Sequence, residues 1–238
     1  LRKCEYKSFP NHIISLWMSN DKIFVGDIQQ SFSVARYHRM ENKFFVLADD
    51  LIPRWLTTGI MLDPTTVAGA DKFGNVFVLR LPDILIQQIE EDPTGGAIWR
   101  NRSIIGAAHK FELLATFYIG ETVTKMVKTT LIPGGNEVIL YTTISGAIGA
   151  MVPFSSREDI DFFSNLEMHM RQESRSICGR DHLSFRSSYA PVKGVIDGDL
   201  CESYSLLSLE KQKKISDDLE RTPAEIQKKL ELLRNNIS

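Results

Sequence analysis

The chain has 238 residues, 43 % hydrophobic and 24 % charged, with a net charge of −2. That is enough material for a sizeable core, and it supplies no general attraction to nucleic acid or to an anionic membrane. No apolar run approaches the roughly 20 residues of a membrane-spanning helix, and three distant cysteines (Cys4, Cys178 and Cys201) argue against a disulfide scaffold and for a reducing compartment.

From the N-terminus, His12–Met18, Lys22–Gly26, Ser31–His38 and Lys43–Ala48 read as four strands parted by short polar turns. Four strands in about 40 residues make one blade of a β-propeller. A second set starts with Trp55–Met61 and continues through Val67–Ala70 and Val76–Leu81. Lys72-Phe73-Gly74-Asn75 lies between its last two strands, and Gly-Asn between apolar β-rich runs signals a tight hairpin. The same construction precedes it: Asp27 and Asp71 stand 44 positions apart, as do Arg36 and Arg80. A weaker third copy runs through Tyr141-Thr142-Thr143, Ser145-Gly146 and on to Val152. Repeats of about 40–45 residues built from short strands are a propeller signature.

Pro82 to Asn101 interrupts the second set with an acidic, turn-rich stretch, Glu90-Glu91-Asp92-Pro93-Thr94-Gly95-Gly96. It reads as a surface loop that could dock a partner through Glu90, Glu91 and Asp92. Strands resume near Lys110–Ile119, Val123–Leu131, Glu137–Thr143 and Gly146–Val152, with Pro133-Gly134-Gly135-Asn136 as a hairpin loop. After Pro153 the apolar period changes from two to 3.6 residues. Ser155-Ser156-Arg157-Glu158 reads as a capping box opening a helix whose buried face holds Ile160, Phe163, Leu166 or Glu167, and Met170. A loop through Gly179-Arg180-Asp181-His182 follows, and Asp199 with Glu202 suggests a second box ahead of Leu200, Tyr204 and Leu207. Thr222-Pro223-Ala224-Glu225 starts the last helix, with Ile226, Leu230, Leu233 and Ile237 as its stripe. The predicted organisation is residues 1–153 as propeller blades with an insertion near 82–101, and residues 154–238 as a small helical domain.

Few residues carry chemistry. Cys178, His182 and Cys201 lack the paired spacing of a zinc site, and no Gly-rich nucleotide loop or hydrolase elbow occurs, so neither metal nor cofactor is expected. Arg180-Asp181-His182 is the one arrangement an enzyme reading could use. The lysines at 211, 213, 214, 228 and 229 follow the solvated side of helices. Arg54-Trp55 pairs two residue types favoured as binding anchors, although a Trp opening a strand is more often core.

Several long runs carry a resemblance. Ala68-Gly69-Ala70-Asp71-Lys72-Phe73-Gly74-Asn75, Pro53-Arg54-Trp55, Thr129-Thr130-Leu131-Ile132-Pro133-Gly134-Gly135, Cys178-Gly179-Arg180-Asp181-His182-Leu183-Ser184-Phe185-Arg186-Ser187 and Val195-Ile196-Asp197-Gly198-Asp199-Leu200-Cys201-Glu202 resemble the C-terminal part of the splicing factor 3b subunit 3 family. The same architecture is shared by the large subunits of the damaged-DNA-binding complex and the cleavage and polyadenylation factor. The resemblance implies a non-enzymatic three-propeller scaffold ending in a helical domain. It implies a nuclear protein of a ribonucleoprotein complex that recognises the intron branch site, with a HEAT-repeat subunit and small subunits as partners. RNA contact would be secondary. It also implies that this chain is a segment of something longer, lacking the N-terminal propellers and leaving a sheet edge unpaired. Residues 82–90 and the tail after Arg234 depart from the family pattern. The alternative is an adaptor of the same fold in DNA repair, ubiquitin ligation or 3′-end processing.

Overall fold

The computed structural model describes residues 9–38, 42–91, 107–173 and 178–235. The first blade consists of β1 (Ile13–Ser19), β2 (Lys22–Asp27), β3 (Ser31–His38) and β4 (Lys43–Asp49), each antiparallel to the next. The second repeats it with β5 (Leu56–Asp63), β6 (Thr66–Asp71) and β7 (Asn75–Arg80). The repeat of 44 holds for the starts of β2 and β6 and of β3 and β7. It fails at the fourth strand, because the insertion intervenes before the chain returns.

That insertion corrects the expectation of a loop throughout 82–101. Residues Asp83–Glu91 form a helix, α1, with Leu85 wholly buried and Ile86 and Ile89 packed on the blade core. Apolar residues at positions 85, 86 and 89 make one helical face, which overrides the acidic, turn-like composition downstream. Asp92 and the rest of the insertion to Asn101 lie outside the described residues. The chain returns as a short strand, β8 (His109–Lys110), which adds in parallel to β4, and then as β9 (Glu112–Tyr118), the fourth strand of the second blade. Asp49 secures the return, accepting hydrogen bonds from the Ala107 amide at 3.1 Å and Lys110 Nζ at 2.5 Å.

A third sheet pairs β10 (Val123–Thr130), β11 (Glu137–Thr143) and β12 (Ile148–Met151) in that order. Among the described residues no fourth strand pairs with β12.

The first two blades share one core, including Phe24, Phe32, Leu56, Val67, Phe77 and Leu79. Phe32 packs onto a floor made by two paired glycines, Gly59 and Gly69. A Cβ at either would lie 2.7 Å from the Phe32 ring, so the blades approach this closely only over bare backbone. The turns show why Asp recurs at 44 positions. Asp27 accepts the amides of Gln29 and Gln30, and Asp71 accepts those of Phe73 and Asn75, so each strand ends on a side-chain-capped turn. Thr143 does the same in the third copy, its hydroxyl accepting from the Ala147 amide. Gly74 adopts φ of 90°, a conformation costly for other residues.

The chain divides into two compact units, residues 1–126 with 141–147, and residues 127–140 with 148–238. Helices dominate the second. They are α2 (Arg157–Glu173), α3 (His182–Arg186), α4 (Gly198–Glu202) running into a 3-10 turn (Ser203–Leu206), α5 (Leu209–Asp218) and α6 (Pro223–Asn235). Their core holds Phe162, Phe163, Leu166, Met170, Tyr204, Ile215, Ile226 and Leu230, with Leu233 against it.

Several local expectations are corrected here. Ile160 is exposed and Phe162 takes its place inside. The Ser155–Glu158 box does not form: Glu158 turns instead to Arg221 and Lys229, each at 3.5 Å. The second cap is Asp197 rather than Asp199, accepting from the Leu200 amide. The loop after Gly179 contains α3, capped by Asp181. The last box forms as read, with Glu225 Oε2 accepting from the Thr222 amide at 2.7 Å and the Glu225 amide donating to Thr222 Oγ1 at 3.3 Å. Ile237 lies outside the described residues.

Candidate functional site

Antiparallel alternation places five connections at one end of the blades: the β2–β3, β6–β7 and β11–β12 turns and the β4–β5 and β9–β10 links. Large apolar side chains are exposed there where turn chemistry would favour polar ones: Leu51 (71 %), Trp55 (40 %), Phe73 (53 %) and Ile144 (73 %).

Three of these are linked into one row. The Lys72 amide donates to the Trp55 carbonyl at 2.9 Å, while Lys72 Nζ sits 3.4 Å from the centre of the Trp55 ring and 5.1 Å from that of Phe73. Thr122 Oγ1 donates to the Lys72 carbonyl at 2.9 Å, and the Ile144 amide donates to the Thr122 carbonyl at 2.9 Å. Among the described residues Lys72 has no carboxylate within ion-pair distance. The result is an aromatic and aliphatic surface with one ammonium held over two rings, a geometry in which the cation remains available to an acidic group.

Arg54 is not on this surface. It is 1 % exposed, donates from Nε to Asp50 Oδ2 at 3.0 Å, and lies 4.2 Å from the centre of the Phe77 ring. The neighbours Arg54 and Trp55 therefore point opposite ways, as consecutive extended residues do. Glu90 and Glu91 stand on the solvent side of α1, at the other end of the blades. Sequence reading missed Lys72, Phe73 and Ile144. The available signal was a bulky apolar residue at the tip of two repeat-related turns, Lys-Phe-Gly-Asn and Thr-Ile-Ser-Gly.

Two residues of the enzyme reading, Asp181 and His182, have structural tasks, while Arg180 is exposed. Asp181 caps α3, and hydrogen bonds from Ser184 hold its carboxyl below the ordinary value. His182 is buried, with Nε2 at 2.8 Å from Asp197 Oδ2, and Arg186 Nε donates to the same oxygen at 2.8 Å. The Asp197 amide donates to Glu167 Oε1, and Glu167 in turn pairs with Arg171. Asp197 is thus the hub of a buried polar network joining α2, α3 and α4, and among the described residues no nucleophile is hydrogen-bonded to His182. Burial, reinforced by the carboxylates of Glu167 and Asp197, pushes the Cys201 thiol far above its ordinary value of 9.0. No group of three or more metal-binding side chains occurs among the described residues.

A family profile for the CPSF A subunit region matches residues 1–206. The chain is 56 % identical over 99 % of its length to a probable splicing factor 3B subunit 3 of Dictyostelium discoideum, covering 19 % of that protein. It is 56 % identical over 100 % of its length to spliceosome-associated protein 130 A of Arabidopsis thaliana, covering 20 %. To splicing factor 3B subunit 3 of Drosophila melanogaster it is 50 % identical over 98 % of its length, covering 19 %. The chain therefore spans about a fifth of the length of these relatives.

Proposed function

We propose, from the premise that the chain belongs to the CPSF A subunit region family and to its splicing factor 3B subunit 3 branch, that it is a non-enzymatic protein-binding scaffold acting in the nucleus in pre-mRNA splicing. Its blades, residues 1–153, present the binding surface, and residues 154–238 form the helical domain. The observation that carries this reading is the exposed row Trp55–Lys72–Phe73–Ile144 at the turn end of the blades. Aromatic anchors around a cation suit a protein segment of apolar side chains flanked by acidic ones. They suit RNA less, because Lys72 covers the Trp55 face on which a base would stack, and the chain is net negative. RNA contact is accordingly secondary.

The partners proposed are a HEAT-repeat subunit and small subunits of the splicing factor 3b complex. Glu90 and Glu91, with Asp92 beyond them, are a second, acidic contact. The test is co-purification from nuclear extract with the tagged parent protein, in wild-type form and with Trp55→Ala, Phe73→Asp and Ile144→Asp combined. The expected outcome is nuclease-resistant retention of the HEAT-repeat splicing subunit by the wild type and roughly tenfold less by the variant, the scale of one lost anchor. Recovery of ligase or polyadenylation components instead would assign the chain to the alternative adaptor role. Retention abolished by nuclease would make RNA the primary partner.

A further inference from the structure

The β4–β5 link is held from inside. Asp50 Oδ2 accepts from Ser31 Oγ at 2.6 Å and from Arg54 Nε at 3.0 Å, while Asp50 Oδ1 accepts from the Ile52 amide at 3.1 Å. The Arg54 guanidinium then reaches over Phe77 of the second blade. One buried pair therefore ties the β2–β3 turn, the inter-blade link and β7 together. Arg54 and Asp50 side chains are 1 % and 3 % exposed, yet Arg54 Nη1 and Nη2 have no hydrogen-bond partner among the described residues.

This is a poor arrangement for stability. A buried ion pair rarely repays its desolvation, least of all when donors stay unpaired, and an apolar replacement of the whole pair is often neutral. It is a good arrangement for placement. A planar guanidinium fixed at one edge by a carboxylate and at one face by a ring has few alternative poses. The residue it fixes is the immediate neighbour of Trp55, whose carbonyl receives the Lys72 amide.

We propose that the buried Asp50–Arg54 pair is the positioning element of the docking face, setting the register in which Trp55 meets Lys72. This rests on the protein-binding reading for its consequence, but not for its geometry. Two readouts keep them apart: the fluorine NMR signal of fluorotryptophan at position 55 in the 238-residue chain, assigned by Trp55→Phe, and capture of the HEAT-repeat splicing subunit by the parent protein.

Asp50→Asn combined with Arg54→Met removes both charges while nearly keeping volume, with Asn Oδ1 still accepting from the Ile52 amide and its Nδ2 donating to Ser31 Oγ, a hydroxyl that can accept as well as donate. The double variant keeps its Tm within about 3 °C, because the pair contributes little net stability. Its Trp55 signal shifts or broadens, and capture falls roughly tenfold. Arg54→Met alone strands Asp50 and lowers Tm by roughly 10 °C, and Arg54→Lys restores Tm more fully than the Trp55 signal. An unchanged Trp55 signal in the stable double variant would overturn the proposal, as would a double variant as unstable as Arg54→Met. If neither wild type nor variant captures the splicing subunit, the binding reading fails and the Trp55 signal alone decides the positioning inference.

Discussion

The blades and the helical unit meet the same problem, ending regular structure and burying polar groups, in opposite ways. In the blades one solution is repeated. Asp27, Asp71 and Thr143 each cap the turn that follows them with amides at most four residues on, and Asp27 also accepts from the Asn11 amide, 16 positions back. In the helical unit a cap three residues ahead recurs at some helix starts and is missing at another. Asp181, Asp197 and Thr222 cap theirs, whereas Ser208 makes no side-chain bond at its helix. Its main buried acid, Asp197, draws on His182 and Arg186, 15 and 11 positions away, and its own amide on Glu167, 30 away. Repetition works where satisfaction is local, as at these turns; the blades add long-range bonds at the non-repeating places, Asp49 where the chain returns and Asp50 in the inter-blade link. A single unit without repeats relies on long-range polar closure, which makes it vulnerable at one residue.

That contrast can be broken most directly at the hub. Asp197→Ala leaves His182 and Arg186 facing a void and removes the α4 cap, a loss of about 3–5 kcal/mol. Hydrogen exchange should show protection lost across α2, α3 and α4 while β2 and β6 stay protected. Equal loss in both units would erase the distinction. Next in size is Leu85→Ala, about 2–4 kcal/mol by urea denaturation, because α1 docks on the blade core through that side chain. Asp71→Ala frees the Phe73 and Asn75 amides together with Asn75 Nδ2, and costs about 1–3 kcal/mol. Asp27→Ala should match it, and a large difference would show that the repeat is geometric but not energetic.

Smaller effects sharpen the helical side. Thr222→Ala should lower Tm by about 2–4 °C, whereas Ser155→Ala should leave it unchanged, since only the Thr222 box forms. Hydrogen bonds from Thr222 hold the Glu225 carboxyl below its ordinary 4.5, so its contribution is present at neutral pH and fades as pH falls below that value. Thr222→Ala should flatten this acid dependence. Cys201 gives the alkaline counterpart. Its folded-state value is raised, so the native chain keeps a proton that the unfolded chain loses above 9.0, and stability should fall as pH rises past that point. At neutral pH a thiol reagent should label exposed Cys178 and leave Cys201 untouched until unfolding.

Strand positions, the 44-residue repeat, the change to helical period after Pro153 and the Thr222 box were legible in the sequence alone. Each depends on neighbours within a few residues: side-chain alternation, turn residues, and a cap with its N3 partner. The exposed row was half legible. Arg54-Trp55 stood out by residue type, but which of the two turns inward depends on the second blade delivering Phe77 beneath Arg54 and Lys72 above Trp55.

Tertiary structure decided the remainder. Glu158 forsakes the Ser155 box for Arg221 and Lys229, cations more than 60 positions away that no local pattern announces. Asp197 displaces Asp199 as the cap because His182 and Arg186 converge on it. Gly69 shows both sides at once. Its place before a hairpin is written in the sequence, while its necessity comes from Phe32, a residue of another blade that packs where a side chain would stand. Local chemistry fixes where elements begin and end, but burial and charge pairing require distant segments to meet, and only the folded chain brings them together.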